Sequence, residues 1–216
     1  SEVSTIDVAL LQSTQGTSGE TGIADMMGAL AQPVLYRRPN STEEVSGFRV
    51  IRPIPFPTPF EMKKMRLVNY PEASLLIGKL DLPHVNYWTA FDKESFNQLL
   101  SLLQRIGVLQ QFNHPTRRLP LAKIIHGLKS RGKAKPETIS VYVEITGKKE
   151  SHSATNYLAL VAPSDYGTTA MAVVAMTKLI LEKNISVTGT RHPLEVFSLE
   201  QILEVMNHEA INLHQG

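Results

Sequence analysis

The chain of 216 residues has no cysteine. That absence excludes a disulfide framework, a thiolate zinc site and a cysteine nucleophile together, and it agrees with a reducing, cytoplasmic setting. Long apolar runs are missing too. The most apolar stretch, Ala170 to Leu181, is interrupted by Thr177 and Lys178, and nothing approaches the roughly 18 uninterrupted apolar residues that a membrane span needs. The N-terminus lacks the basic and long apolar regions of a signal peptide. Charge of one sign is also lacking: 22 Lys and Arg stand against 20 Asp and Glu, so no global field draws in nucleic acid or a membrane surface.

What is present describes an ordinary globular protein: 42% hydrophobic and 19% charged residues, with 13 Gly and 13 Pro. A chain of this length buries roughly 70% of the surface that its unfolded form exposes, enough for a core without metal or disulfide staples. Ile6 to Leu11 reads as a buried strand. A polar turn follows, and then Ile23, Met26, Met27 and Leu30 fall at helical spacing, with Thr17 and Glu20 in capping-box register, so a helix is predicted from near Ser18 to before Pro33. Pro53, Pro55, Pro57 and Pro59 alternate in a stretch that suits an extended, polyproline-like connection.

Lys64 to Asn69 and Val85 to Phe91 look like strands. Asp92 or Ser95 would cap an apolar helix from Phe96 to Ile106 with little polar face, ended by Gly107. A second helix starts with Pro120 at its first position and runs to Gly132. Alternation from Ile139 to Ile145, a turn at Gly147 to Glu150 and a further extended run to Val161 form a β-hairpin. Two helices close the chain. One opens at Thr168 or Thr169, and the other follows Ser198, which has Gln201 in capping-box register. Strands and helices do not alternate regularly, which favours α+β: a mixed or antiparallel sheet covered by helices on one face, in a single domain over residues 1–216.

The turn Gly16-Thr17-Ser18-Gly19-Glu20-Thr21-Gly22 offers backbone N–H groups to an anion or a carbonyl oxygen, and equally serves as a tight turn before a capped helix. It is not a dinucleotide fingerprint, because position 18 is serine and Arg37 and Arg38 stand where the ribose-binding acid would be. Between Phe96 and Pro136 there is no Asp or Glu, while Arg105, Arg117, Arg118, Lys123, Lys129, Arg131, Lys133 and Lys135 all fall there. With only Phe112 interleaved, this run reads as a solvated face rather than a nucleic-acid site. None of the seven histidines has metal-ligand spacing, so no metal is expected. Arg191 with His192, just before a capped helix, forms a donor pair that could meet a carboxylate or make a surface turn. Tyr166, Thr168 and Thr169 cluster at a helix N-terminus, where they suit an anionic group or simple capping.

Taken together, the opening strand with Gly16 to Gly22, the stretch Leu67 to Ala73, the hairpin from Val141 to Leu160, Asp165 to Ala170 and Gly189 to Glu195 resemble, in order, the region of saccharopine dehydrogenase-like oxidoreductases that follows their cofactor domain. The resemblance implies an upstream Rossmann domain that binds NAD or NADP, in keeping with a strand that starts almost at the first residue. It also implies an α+β domain that supplies the substrate pocket, and a homodimer. Gly16, Thr17, Ser18 and Gly19 would line the cofactor's nicotinamide end; Arg191, Thr168 and Thr169 would meet substrate; His192 and then Tyr166 would move a proton. Relatives often show proline where this chain has Leu194, and no counterpart of their carboxylate-binding arginine is found. The chain alone is not expected to hold the dinucleotide. The alternative is a non-catalytic dimerisation or partner-binding module, since two such apolar helices must be covered by their own domain or by another chain.

Overall fold

The computed structural model describes residues 2–16, 19–38, 40–80, 84–129, 136–150, 152–182, 188–206 and 211–216. Strand β1 (Glu2–Gln12) organises the molecule. Its residues alternate between faces, and both faces are buried: Ile6 and Val8 go to one, Asp7, Ala9 and Leu11 to the other. After it come α1 (Glu20–Ala31), β2 (Pro33–Arg38), β3 (Ser41–Ser46), β4 (Ile51–Phe56), β5 (Glu61–Val68), α2 (Pro71–Leu80) and β6 (Val85–Phe91). The chain continues through α3 (Glu94–Arg105), α4 (Pro115–Lys129), β7 (Ile139–Lys149), β8 (His152–Ala162), α5 (Asp165–Glu182), α6 (Leu199–Met206) and β9 (Asn212–Gln215).

Seven strands form one mixed sheet in the order β4-β5-β6-β1-β7-β8-β9, and β2 with β3 makes a separate hairpin. Only β1 and β6 run parallel, with Asp7 opposite Asn86 and Ala9 opposite Trp88; the other neighbours are antiparallel. Helices cover one face. There Ile23, Met27 and Leu30 of α1, Phe96 and Leu100 of α3, and Ala122 and Ile125 of α4 pack with Val68 and Phe91. Each Leu, Ile, Met or Phe side chain fully withdrawn from water contributes about 1.5–3 kcal/mol. The opposite face is concave and holds Ala9, Leu11, Ile54, Phe56, Met65, Leu67, Trp88 and Tyr142, with Val34 and Tyr36 of the small hairpin packed over them.

This face curls until β4 meets β7, four positions away in the sheet order. Phe56 contacts Tyr142, with ring centroids 5.6 Å apart. Arg52 reaches from β4 to Asp7 of β1, at 2.6 Å, and to Glu144 of β7. Asp7 also accepts the Trp88 indole N–H at 2.7 Å and the Asn86 amide at 3.2 Å. Burial alone would lower the Arg52 pKa; the two carboxylates override it and hold the guanidinium above its ordinary value. On the helix face, Arg66 is buried and binds Glu94 at 2.7 Å and Ser101 at 3.1 Å, joining β5 to α3.

The α+β class is as the sequence predicts, and several details differ. The proline-rich stretch begins as a strand. Pro53 and Pro55 sit two apart on β4, the edge of the sheet, so both missing N–H groups fall on the side with no neighbour while the intervening residues pair with β5. The second helix starts at Pro115, with Pro120 inside it. Helix α3 is amphipathic: Phe96, Asn97, Leu100 and Gln104 turn inward and Ser95, Gln98, Leu102 and Arg105 outward. Its N-cap is Lys93, because Asp92 is engaged elsewhere, accepting the Thr14 N–H at 2.8 Å. The cap of α1 is Gly19, with Glu20 already its first residue. The basic run is balanced across space, where Arg118 pairs with Asp25 and Lys123 approaches Glu20 of α1 at 3.9 Å; Arg131, Lys133 and Lys135 lie outside the described residues. Helix α2 and the β2-β3 hairpin carry little periodic signal, and the sequence reading passes over both.

Removing the Asp7 carboxylate strands the Trp88 indole N–H in the concave core and leaves the Arg52 guanidinium with Glu144 alone. Asp7→Ala is expected to lower unfolding free energy by about 2 kcal/mol, the cost of leaving a buried donor unsatisfied, read by urea denaturation with the m-value unchanged. A loss under about 1 kcal/mol would show that the network does not hold the curl.

Candidate functional site

The carboxyl end of β1 opens onto a cleft of about 350 Å³. Leu10, Gln12 and Ser13 of β1 and its turn form the base, Gly22 and Met26 of α1 one wall, and Tyr70, Glu137, Asp165 and Tyr166 the other. The turn after β1 is held by its own polar atoms: Ser13 Oγ accepts the Gln15 N–H at 3.0 Å, and Asp92 N–H donates to Gln12 O at 2.8 Å. At Gly16 the backbone passes so close to the opposite wall that a Cβ would stand 2.9 Å from Glu137 Oε1. A side chain at this position would have to push the Glu137 carboxylate aside.

Glu137 is fixed by two donors, Ser164 Oγ at 3.0 Å and the Asp165 N–H at 3.2 Å, which tie it to the start of α5. Asp25, Glu137 and Asp165 line the cleft, and among the described residues no Lys or Arg does. Tyr70 is the buried hydroxyl of the site. Burial first, then the Glu72 and Asp165 carboxylates, push its pKa up to about 12, against a hydrogen bond with the Gln12 side chain. Gln12 Nε2 in turn donates to Thr89 Oγ1 at 3.1 Å, and Thr89 donates to Leu10 O at 3.0 Å, so the phenol belongs to a bonded chain along the floor. Its ring meets Tyr87 edge-on at 5.8 Å.

The structure brings together two of the residues singled out from sequence, Gly16 and Tyr166, and separates the rest. Thr17 and Ser18 lie outside the described residues. Gly19 caps α1 with open space around it. Thr168 turns inward from α5 and is buried, and Thr169 donates its hydroxyl to Asp165 O at 2.9 Å. Arg191 is exposed. His192 caps the 3₁₀ turn Pro193–Glu195: its Nδ1 accepts the Leu194 N–H at 3.3 Å, and its own N–H donates to Glu195 at 2.8 Å. Neither Arg191 nor His192 is among the cleft-lining residues. Tyr70 and Glu137 escape the sequence reading because each sits on a segment with no pattern of its own; Tyr70 falls inside a stretch quoted for the family resemblance, and that was its one available signal. Among the described residues no group of three or more His, Asp or Glu could hold a metal ion, and no helix is long and apolar enough to cross a membrane.

Tyr70, Tyr87 and Tyr142 are each raised to about 12, burial being the first cause in all three. Above the ordinary value of 10.0 the unfolded chain loses phenolic protons that the fold retains, so stability is full below that pH and falls as pH climbs towards about 12. Phenolate absorbance should show three of the six tyrosines ionising late, with the melting temperature dropping over the same window. Six superimposable ordinary titrations would contradict this packing.

No protein-family model matches the chain, and no curated protein matches it in sequence. Among solved structures it is similar to apo histidine-tagged saccharopine dehydrogenase (L-Glu forming) from Saccharomyces cerevisiae, with a TM-score of 0.59 and 13% identity. The match covers 98% of this chain and 66% of that one, so this chain spans just under two thirds of its neighbour's length. At that identity the likeness is one of fold: the chain has the α+β architecture found in a saccharopine dehydrogenase.

Proposed function

We propose that the chain is the substrate-binding domain of an NAD(P)-dependent oxidoreductase of the saccharopine dehydrogenase kind, acting on an amine, imine or amino-acid-like substrate. The observation that carries the reading is the cleft itself: it lies at the carboxyl end of β1, and its lining includes Gly16 of the turn and two tyrosines in a fold shared with such an enzyme. A nicotinamide held by an upstream domain, when bound, supplies the hydride exchanged with a carbon bonded to nitrogen. At its ring end the cleft lining offers that group Gly16 and Tyr166. The described residues offer no second glycine and no ribose-binding acid for the rest of the dinucleotide.

The chain's own contribution follows from its lining. Glu137 and Asp165 make the cleft favourable for a protonated nitrogen, Asp25 being paired with Arg118, while Leu10, Met26, Ala29 and Pro71 exclude water around it. Tyr70, kept neutral by its surroundings, donates a hydrogen bond to the reacting group, and the more exposed Tyr166 exchanges its proton with solvent. Acid–base work is assigned to these phenols because the His192 imidazole is engaged as a cap.

A second reading, the dimerisation module, is favoured by α5, which exposes Val173, Val174, Ile180 and Leu181. Sedimentation separates the two in one direction: a strict monomer at high concentration removes the module.

In the protein carrying its upstream domain, Tyr70→Phe and Tyr166→Phe are expected to lower kcat/KM by about tenfold or more, and His192→Ala to leave it within about twofold. Both tyrosine variants retaining full activity would overturn the assignment. Titrated with NADPH or NADH, the present chain should bind more weakly than about millimolar, for want of a pyrophosphate site. Saturable micromolar binding would show that the cofactor site has been misplaced.

A further inference from the structure

The charged side chains that line the cleft at the end of β1 are all of one sign: Asp25, Glu137 and Asp165 are there, and among the described residues no Lys or Arg is. Asp25 is answered by Arg118, a residue outside the lining. Glu137 is held differently. Its two donors, Ser164 Oγ at 3.0 Å and the Asp165 N–H at 3.2 Å, are both neutral, so they fix the carboxylate and leave its charge in place. Gly16, also in the lining, marks where that charge stands, since a Cβ there would lie 2.9 Å from Glu137 Oε1. Tyr70 senses the same potential: after its burial, the carboxylates of Glu72 and Asp165 are what hold its pKa up, at about 12.

For a ligand this potential works in two directions. A protonated nitrogen is drawn in, whereas a carboxylate meets no cation in the described lining and is set beside Glu137, which repels it. Size narrows the class further. At about 350 Å³ the cleft lies at the small end of ligand pockets, which run from about 300 to 1,000 Å³, and Leu10, Met26, Ala29 and Pro71 give it an apolar wall for a short alkyl chain. We infer that the substrate is a small aliphatic ammonium or iminium ion without a carboxylate, and that Glu137 is the residue that turns amino acids away. This inference rests on the oxidoreductase reading for placing the substrate in the cleft, and it selects among the substrates which that reading allows.

Four ligands that share a butyl chain test it: butylamine; norvaline, which adds a carboxylate at the carbon bearing nitrogen; norvalinamide, in which a neutral amide replaces that carboxylate at nearly the same size; and butanol, which carries no charge. The isotope-labelled chain is titrated at constant ionic strength and about pH 6.5, where an α-amino group with a pKa of about 7.7–8.0 is mostly protonated, and the Gly16 and Gly22 backbone amides of the lining report occupancy. Butylamine and norvalinamide should bind saturably and within about threefold of each other, norvaline at least about tenfold more weakly, and butanol not measurably. Glu137→Gln should weaken butylamine at least about fivefold and narrow the gap between norvaline and norvalinamide to under about threefold. Norvaline binding as tightly as norvalinamide overturns the inference and leaves the oxidoreductase reading with an amino-acid substrate. A gap unchanged in Glu137→Gln overturns it too, as does the absence of a saturable response to either cation; the reading itself is judged separately, by the activity of the Tyr70 and Tyr166 variants. If Glu137→Gln loses the dispersed spectrum of a folded chain, salt decides on the parent: the gap should narrow as ionic strength rises, and a gap that salt leaves unchanged is the overturning result.

Discussion

The carboxylate of Asp7 sits where the curl of the sheet has to be closed, and much of the architecture depends on it. A seven-stranded sheet that bends needs something to hold its far strand against its middle, and Arg52 supplies it by reaching from edge strand β4 to Asp7 and Glu144. The same carboxylate receives the Trp88 indole and the Asn86 amide, and Asn86 holds the Arg37 backbone, so the small β2-β3 hairpin is fastened to the same point. An ion pair so withdrawn from water is a weak source of net stability and a strong source of specificity, because no other arrangement of these strands satisfies all the groups. The apolar contacts around it, Phe56 on Tyr142 and Tyr36 on Trp88, supply the burial that the charges do not.

The cleft depends on the same frame from the other side. With Asp7 and Trp88 committed to the concave face, Leu10 and Gln12 necessarily look the other way, towards α1 and the start of α5. The parallel pairing of β1 with β6 then brings the ends of both strands together; Asp92 fastens the chain leaving β6 to the turn leaving β1, and Asn97 ties α3 back to Phe91. Tyr70 and Glu137 arrive from segments far apart in sequence. Their juxtaposition with Gly16 is a product of the sheet order alone.

Where the sequence carried period, it was legible. Val85 to Phe91 and the β7-β8 hairpin stand where alternation puts them, and Ser198 with Gln201 forms the capping box it spells, each side chain bonding the other's backbone. The misreadings have particular causes. Proline at 53 and 55 argues against a strand only if the strand has two neighbours, and the number of neighbours is not a local property. Asp92 and Thr17 look like caps because capping chemistry is cheap to spell; in the fold Asp92 answers a distant N–H instead. Helix α3 seems apolar all round because Asn97 and Gln104 are polar residues that turn inward, Asn97 bonding Phe91 and Gln104 bonding Gly47 O.

The sequence by itself determined the α+β class, both long hairpin strands and the helix period of α1. All of these rest on interactions within a few residues, whose geometry the backbone fixes. Only the tertiary structure decided that Gly16 faces Glu137, that Tyr70 rather than His192 lines the cleft, and that Arg37 is left without a carboxylate while Arg38 and Arg52 find theirs. Those outcomes turn on which strands become neighbours and how far the sheet bends, and charges many residues apart acquire partners only once that has happened.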